Sequence, residues 1–306
     1  MMSQLNLKEQ DFEPLQKDAM DAEEISGEST SFWQDGWRRF RKNKLALLGV
    51  LIIVILTIMA FLGGPISGHN YYSNDLMRAN QSPSADHWFG TDTLGRDIFA
   101  RTWYGAKISL FIGLMAALLD LIIGIIWGSI SGYFGGKVDE YMMRIADILS
   151  SVPYLLVVIL LMVIMGQGLW TLIIAMTITG WINMARIVRG EVMKLRSEEY
   201  VMAAQSLGAN ATRIVKKHLL PNTLGPVLVT LTLTVPTAIF TEAFLSYLGL
   251  GVPAPLASWG TMTNDALQSF QYEPYQLFFP AFFICLTMLA FNIIGDGLRD
   301  ALDPKE

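Results

Sequence analysis

The sequence predicts an all-α membrane protein with six transmembrane helices, and three observations carry that prediction. Of the 306 residues, 52% are hydrophobic and only 16% are charged, where soluble domains carry roughly 25% charged residues. The mean hydropathy is +0.40. The apolar residues are gathered into long uncharged runs, which a soluble core does not require. A soluble globular enzyme is therefore disfavoured. The single cysteine leaves no disulfide framework and no multi-cysteine metal or iron–sulfur site. His69, His87 and His218 lie far apart along the chain and are read as forming no ligand pair, so no metal site is expected.

Residues 1–31 come first. They hold two lysines against eight acids, so the net charge of −5 belongs to this segment and the remainder is close to neutral. A polar, acidic stretch without helical periodicity predicts a disordered tail. It also lacks the basic start and apolar core of a cleavable signal peptide. In residues 32–44, Trp33, Trp37 and Phe40 recur at i, i+4 and i+7 beside Arg38, Arg39 and Arg41. That pattern predicts an amphipathic helix lying at the membrane interface.

The spans follow, each close to the roughly 20 residues that cross a bilayer. Residues 45–62 are uncharged, and 108–131 are broken only by Asp120. Residues 148–165 carry Pro153, and after Gly166-Gln167-Gly168 residues 169–185 are again uncharged. Residues 224–250 contain Pro226, Pro236 and one acid, Glu242; residues 277–294 hold Cys285.

Basic residues choose the orientation. Arg38, Arg39, Arg41, Lys42 and Lys44 precede the first span, and Lys137 and Arg144 follow the second. Arg186, Arg189, Lys194, Arg196, Arg213, Lys216 and Lys217 lie between spans four and five, and Arg299 and Lys305 follow the sixth. The other side has Arg78, Arg96 and Arg101, with Lys107 at the edge of span two. A multi-pass protein of the plasma membrane with both termini in the cytoplasm is expected. The same rule explains the basic inner loop, so no nucleic-acid role is assigned.

Three loops remain: outer loops 63–105 and 251–276, and the inner loop 186–222. In the inner loop, Glu198 and Glu199 suit the first turn of a helix. Gly208 suits a bend with positive φ, and Asn210 can cap a second helix. In that second helix Ala211, Ile214, Val215, His218 and Leu219 form an apolar stripe opposite Arg213, Lys216 and Lys217, and Pro221 is expected to end it. Such a stripe packs on its own bundle or on lipid headgroups, or else docks into a soluble partner. Docking is the sharper reading.

At these residues the chain resembles the ABC-importer permeases. Their EAA loop reads Glu-Ala-Ala, three residues, Gly, nine residues, Ile, one residue, Leu-Pro. Ala203, Ala204, Gly208, Leu220 and Pro221 fall at the matching places, with Met202 where the pattern has Glu and His218 where it has Ile. Glu199-Tyr200-Val201 before the alanines and Pro221-Asn222 at the end resemble the peptide and nickel branch. So do His87-Trp88-Phe89-Gly90-Thr91-Asp92-Thr93-Leu94-Gly95-Arg96-Asp97, the stretch 243–260, and Gly297-Leu298-Arg299-Asp300-Ala301-Leu302-Asp303-Pro304.

The resemblance implies a MetI-like, type I importer bundle serving oligopeptide uptake, with dipeptide or nickel import sharing the same motifs. It implies a second, OppB-like permease, OppD- and OppF-like ATPases that dock the EAA loop, and an OppA-like lipoprotein that captures peptide. An intramembrane enzyme or channel is the remote alternative. ATP belongs to the partners: Gly135-Gly136-Lys137-Val138 fails as a phosphate loop because Ser131 and Val138 stand where a Gly and a Ser or Thr are needed. No cofactor is expected.

Charge inside a span is costly. Asp120 and Glu242 therefore either make buried helix–helix hydrogen bonds or line the translocation route. Asn183 is expected at the membrane interface. On the outer side, Trp88, Asp92, Arg96, Pro253 and Trp259 are candidates for contact with a binding protein. The alternative reading of the turn around Gly90 and Gly95 is a rigid brace of the bundle.

Overall fold

The computed structural model describes residues 32–302, all in helices, turns and loops apart from one isolated bridge between Thr91 and Asp97. The acidic segment 1–31 lies outside the described residues, as do 303–306. Helix α1 (Phe32–Lys42) is tied by an Asp35–Arg39 pair at 3.0 Å, one turn apart. Trp33 and Trp37 are exposed as expected of anchors. Phe40 is not: it turns in against Ala46 and Ala301, so α1 docks on the end of the last helix. Asn43 then caps α2 (Lys44–Ser67), its side chain accepting from Leu45 N and Ala46 N.

Among the described residues, five helices are long and apolar enough to cross a membrane. They are α2, α3 (Ile98–Phe134), α6 (Leu169–Arg196), α9 (Leu220–Tyr247, prolonged from Ala211) and α11 (Tyr275–Leu302). Several outrun their apolar stretches. Helix α3 starts at Ile98 because Asp97 caps it, accepting from Ala100 N at 2.7 Å, and because Arg101 and Thr102 in its first turns are buried in protein. Helix α6 continues to Arg196, so much of the expected inner loop is helix.

The third expected span is broken. Helix α4 (Gly136–Ser151) and α5 (Tyr154–Met165) meet at 82°, and the sixth crossing exists only if this bent pair counts as one. Pro153 offers no amide hydrogen and disfavours helix at the residue before it; Val152 is accordingly extended, with ψ 129°. The 12 residues of α5 reach about 18 Å, less than a hydrocarbon core of about 30 Å. Asp139 of α4 makes a bidentate pair with Arg189, and Asp147 pairs with Arg186 at 2.9 Å, which holds α4 against α6.

The most extensive helix contact is α3 on α6. Gly124, Gly128 and Gly132 line α3 at four-residue spacing, and a Cβ on them would stand 2.6 Å from Met184 Cβ, 2.5 Å from Ala185 O and 2.8 Å from Arg189 O. Small residues in this spacing let two backbones approach closely.

In the basic loop between α6 and α9, α7 (Glu199–Ser206) is followed by Gly208 with φ +80° and by α8 (Ala211–Ile214), which Asn210 caps by accepting from Arg213 N at 2.9 Å. Pro221 does not end this helix. A π-turn over Val215–Leu219 carries it into α9. Proline removes one helical donor and crowds the carbonyl four residues before it; widening the turn by one residue relieves both. The Asn222 side chain then donates to His218 O at 2.6 Å. At the outer end, α10 (Trp259–Ala266) begins with a Ser258–Thr261 capping box.

Candidate functional site

A cavity of about 470 Å³ opens between α3, α5, α6 and α9. Its wall carries Asp120 from α3, Tyr154 from α5, and Gly180 and Asn183 from α6. Asn183 is thus part of the cavity wall. Asp120 is 5% exposed. It fits there because residue 180 is glycine: a Cβ at that position would lie 2.3 Å from Asp120 Oδ2. Asp120 Oδ1 and the Tyr154 hydroxyl are both buried without a hydrogen-bond partner.

Helix α9 gives the cavity a polar edge that sequence reasoning missed. Thr230, Thr234, Thr237 and Thr241 stand at i, i+4, i+7 and i+11, which places them on one helix face. Each hydroxyl donates to its own helix, to Pro226, Thr230, Leu233 and Thr237 carbonyls at 2.8–3.0 Å. Their protons are committed, so the oxygens meet the cavity as acceptors. The period was present in the sequence, but Thr232, off this face, obscured it.

Glu242 does not line this cavity. It is fully buried and accepts from Ser109 Oγ at 3.0 Å and Ser246 Oγ at 2.8 Å. Ser109 Oγ also accepts from Trp259 N at 3.1 Å. The glutamate therefore ties α3, α9 and α10 together, which is the helix–helix alternative of its two readings.

Of the five expected outer-face contacts, one is withdrawn from the surface, two brace it and two stay exposed. Trp259 is completely buried, its indole donating to Thr102 O at 2.9 Å. Asp92 and Arg96 belong to an ion cluster: Arg96 holds Asp92 at 2.6 Å and Asp265 at 3.1 Å, while Arg101 holds Asp265 at 3.1 Å and Asp92 at 3.5 Å. The cluster locks loop 68–97 to α10. Gly90 and Gly95 have φ +77° and +74°, and a Cβ on Gly95 would strike Asp75 O. Trp88 and Pro253 remain exposed.

The histidines also depart from expectation. The rings of His69 and His87 lie with centroids 4.5 Å apart, tilted by 30°, beside Asp97. His87 bonds Asp97 Oδ2 through Nδ1 at 2.8 Å, while Arg78 Nη1 stands 3.3 Å from its Nε2 and His69 Nε2 bonds Asp86 O at 3.0 Å. One ligand atom from each of His69, His87 and Asp97 lies within 4.8 Å of the others, and both histidines already have hydrogen-bond partners within the chain.

The inner loop is turned round from the docking reading. Ile214 and Leu219 are fully buried with Met184, Val188, Val192, Val201 and Val227. The stripe faces its own bundle because α6 extends beneath it. Ala211, Val215, His218, Leu220 and Ala204 are half-buried, and Ala203, Gly208 and Pro221 are exposed. What faces outward is the surface of α7 and its turn, with Met202 48% and Leu207 88% exposed beside Tyr200.

Comparison with known proteins gives the family and the fold. Residues 124–306 match the binding-protein-dependent transport system inner membrane components, and residues 31–83 match the N-terminal transmembrane domain of oligopeptide transport permease C. The chain is 63% identical over 300 residues to the oligopeptide transport system permease protein OppC of Bacillus subtilis, covering 98% of both. It is 57% identical over 286 residues to the dipeptide permease DppC of the same organism, covering 93% of this chain and 89% of that one. Among solved structures, the inward-facing MetNI methionine ABC transporter matches with a TM-score of 0.54 and 19% identity, over 65% of this chain and 94% of that one. That likeness is one of fold.

Proposed function

The chain belongs to the family of binding-protein-dependent transport system inner membrane components, and from that premise we propose that it forms half of the translocation pathway of an ATP-driven oligopeptide importer. It is a multi-pass membrane permease subunit, itself non-catalytic, that works with separate ATPase and substrate-binding partners. The partners proposed are an OppB-like permease, OppD- and OppF-like ATPases and an OppA-like lipoprotein.

The cavity carries this reading. Its wall offers a row of hydroxyl acceptors and one carboxylate, which suits a ligand defined by its backbone more than by its side chains. The 57% identity to a dipeptide permease supports dipeptides as the second reading. Nickel fits less well, since no histidine or cysteine is among the lining residues.

Coupling follows from the inner packing. The exposed face of α7, with Met202, Ala203, Leu207 and Gly208, meets an ATPase. Ile214 and Leu219 clamp this loop to α6 and α9, the two helices that carry most of the cavity wall. Closing the ATPase pair therefore moves the wall and alternates its access.

Uptake of labelled peptides of graded length by the reconstituted complex tests the substrate. ATP-dependent accumulation of several unrelated peptides is expected; none of any length, from a complex that still hydrolyses ATP, would sink the proposal. Orientation is tested by thiol labelling in a Cys285→Ser background. Ser82→Cys should react with an impermeant reagent from outside, and Ser197→Cys only in opened membranes.

A further inference from the structure

The cavity wall holds one acid and no lysine, arginine or histidine. Asp120 is nine-tenths buried, its Oδ1 has no hydrogen-bond partner, and the Tyr154 hydroxyl in the same wall has none either. An unpaired carboxylate inside a membrane protein is costly and calls for a cation or a donor. The fold does not merely tolerate it. Gly180 leaves the space its carboxylate fills, since any side chain there would collide with both oxygens. Across the cavity, the threonine row presents acceptors over about 16 Å of helix.

We propose that Asp120 is the subsite for the α-ammonium group of the transported peptide, with the Tyr154 hydroxyl beside it and the α9 threonine oxygens receiving backbone N–H groups further along the chain. This rests on the peptide reading above and deepens it. Peptides of every sequence share a backbone and two charged ends. A lone carboxylate selects the amino end, and acceptors on the facing helix read the amides. Recognition of this kind fixes direction in the cavity without choosing a sequence. A short peptide of a few residues, at up to about 3.3–3.6 Å per residue, matches the length of the row.

The test uses the complete reconstituted complex with a peptide and its N-acetylated form, each at a concentration that saturates the binding protein. The wild-type complex should take up the free-amine peptide faster, and Asp120→Asn should cut that uptake by about tenfold or more, the scale of a lost charged hydrogen bond. Uptake of the acetylated peptide should change little. Thr234→Val should lower both alike. Peptides carrying a photoreactive side chain at the first or last residue provide a second reading that does not depend on the binding protein's own preference. The first-residue probe should label α5 and α6 near Tyr154 and Gly180, the last-residue probe should label elsewhere, and Asp120→Asn should abolish the difference.

Equal loss of both peptides in Asp120→Asn would assign the carboxylate to the second permease or to the fold, and would overturn the proposal. Peptide labelling of the cavity with no distinction between ends would overturn it too, leaving the peptide reading intact. No labelling and no uptake of any peptide by wild type would defeat the peptide reading itself.

Discussion

Two buried acids divide this molecule. Glu242 sits in the core and finds two serine hydroxyls, one of which, Ser109, also accepts from the Trp259 backbone amide. Asp120 sits in the cavity wall, where its Oδ1 finds nothing in the chain. Both are single acids in apolar runs, and the sequence offers no means of telling them apart. The difference teaches that burial alone does not mark function. A group satisfied by its own chain holds the fold; a group left unsatisfied awaits something else. The inner loop repeats the contrast in apolar form, with Ile214 packed inward and Leu207 bare.

The comparison can be broken by substitution. Ile214→Asp should have the largest effect, about 3–5 kcal/mol, because a charge would be buried unpaired among valines. Loss of folded complex in thermal aggregation assays would register it, and a normal melting curve would mean that the loop is not packed as described. Glu242→Ala should cost about 2–4 kcal/mol, from a void and two stranded hydroxyls, whereas Glu242→Gln should be much milder. Gly128→Val should cost about 1–3 kcal/mol, since its Cβ would press on the Ala185 carbonyl.

Two further variants sharpen the contrast by changing function with little change in stability. Leu207→Asp should alter stability by no more than about 0.5 kcal/mol, yet uncouple ATP hydrolysis from loaded binding protein. Coupled hydrolysis at the wild-type rate would remove α7 from the docking surface. Asp120→Asn should leave the melting temperature unchanged or raise it, since it relieves an unpaired charge. A clear drop would place Asp120 with Glu242 among the groups that hold the fold.

The spans were legible because hydrocarbon demands length and apolarity together. Their ends were less so: α3 and α6 continue through polar sequence that other parts of the protein cover. Pro153 marked a disturbance, but no pattern gave the 82° between α4 and α5. In the inner loop the helix, the glycine bend and the Asn210 cap were all readable from local chemistry. The side it faces was not, because an amphipathic stripe declares that it is buried and not by what. The pairing of His69 with His87 arises from loop folding across 18 positions, which no periodicity encodes.

The π-turn at Val215–Leu219 has a mechanical consequence. Because Pro221 fails to stop the helix, Ala211–Tyr247 is one rod of 37 residues, about 55 Å long. The rod is held at several places along its length: Ile214 and Leu219 are buried in one cluster, and Val235, Ala238, Ile239 and Leu245 in others. A push at the Ala211 end would therefore travel along the helix axis to the threonine face, about 39 Å away at Thr237.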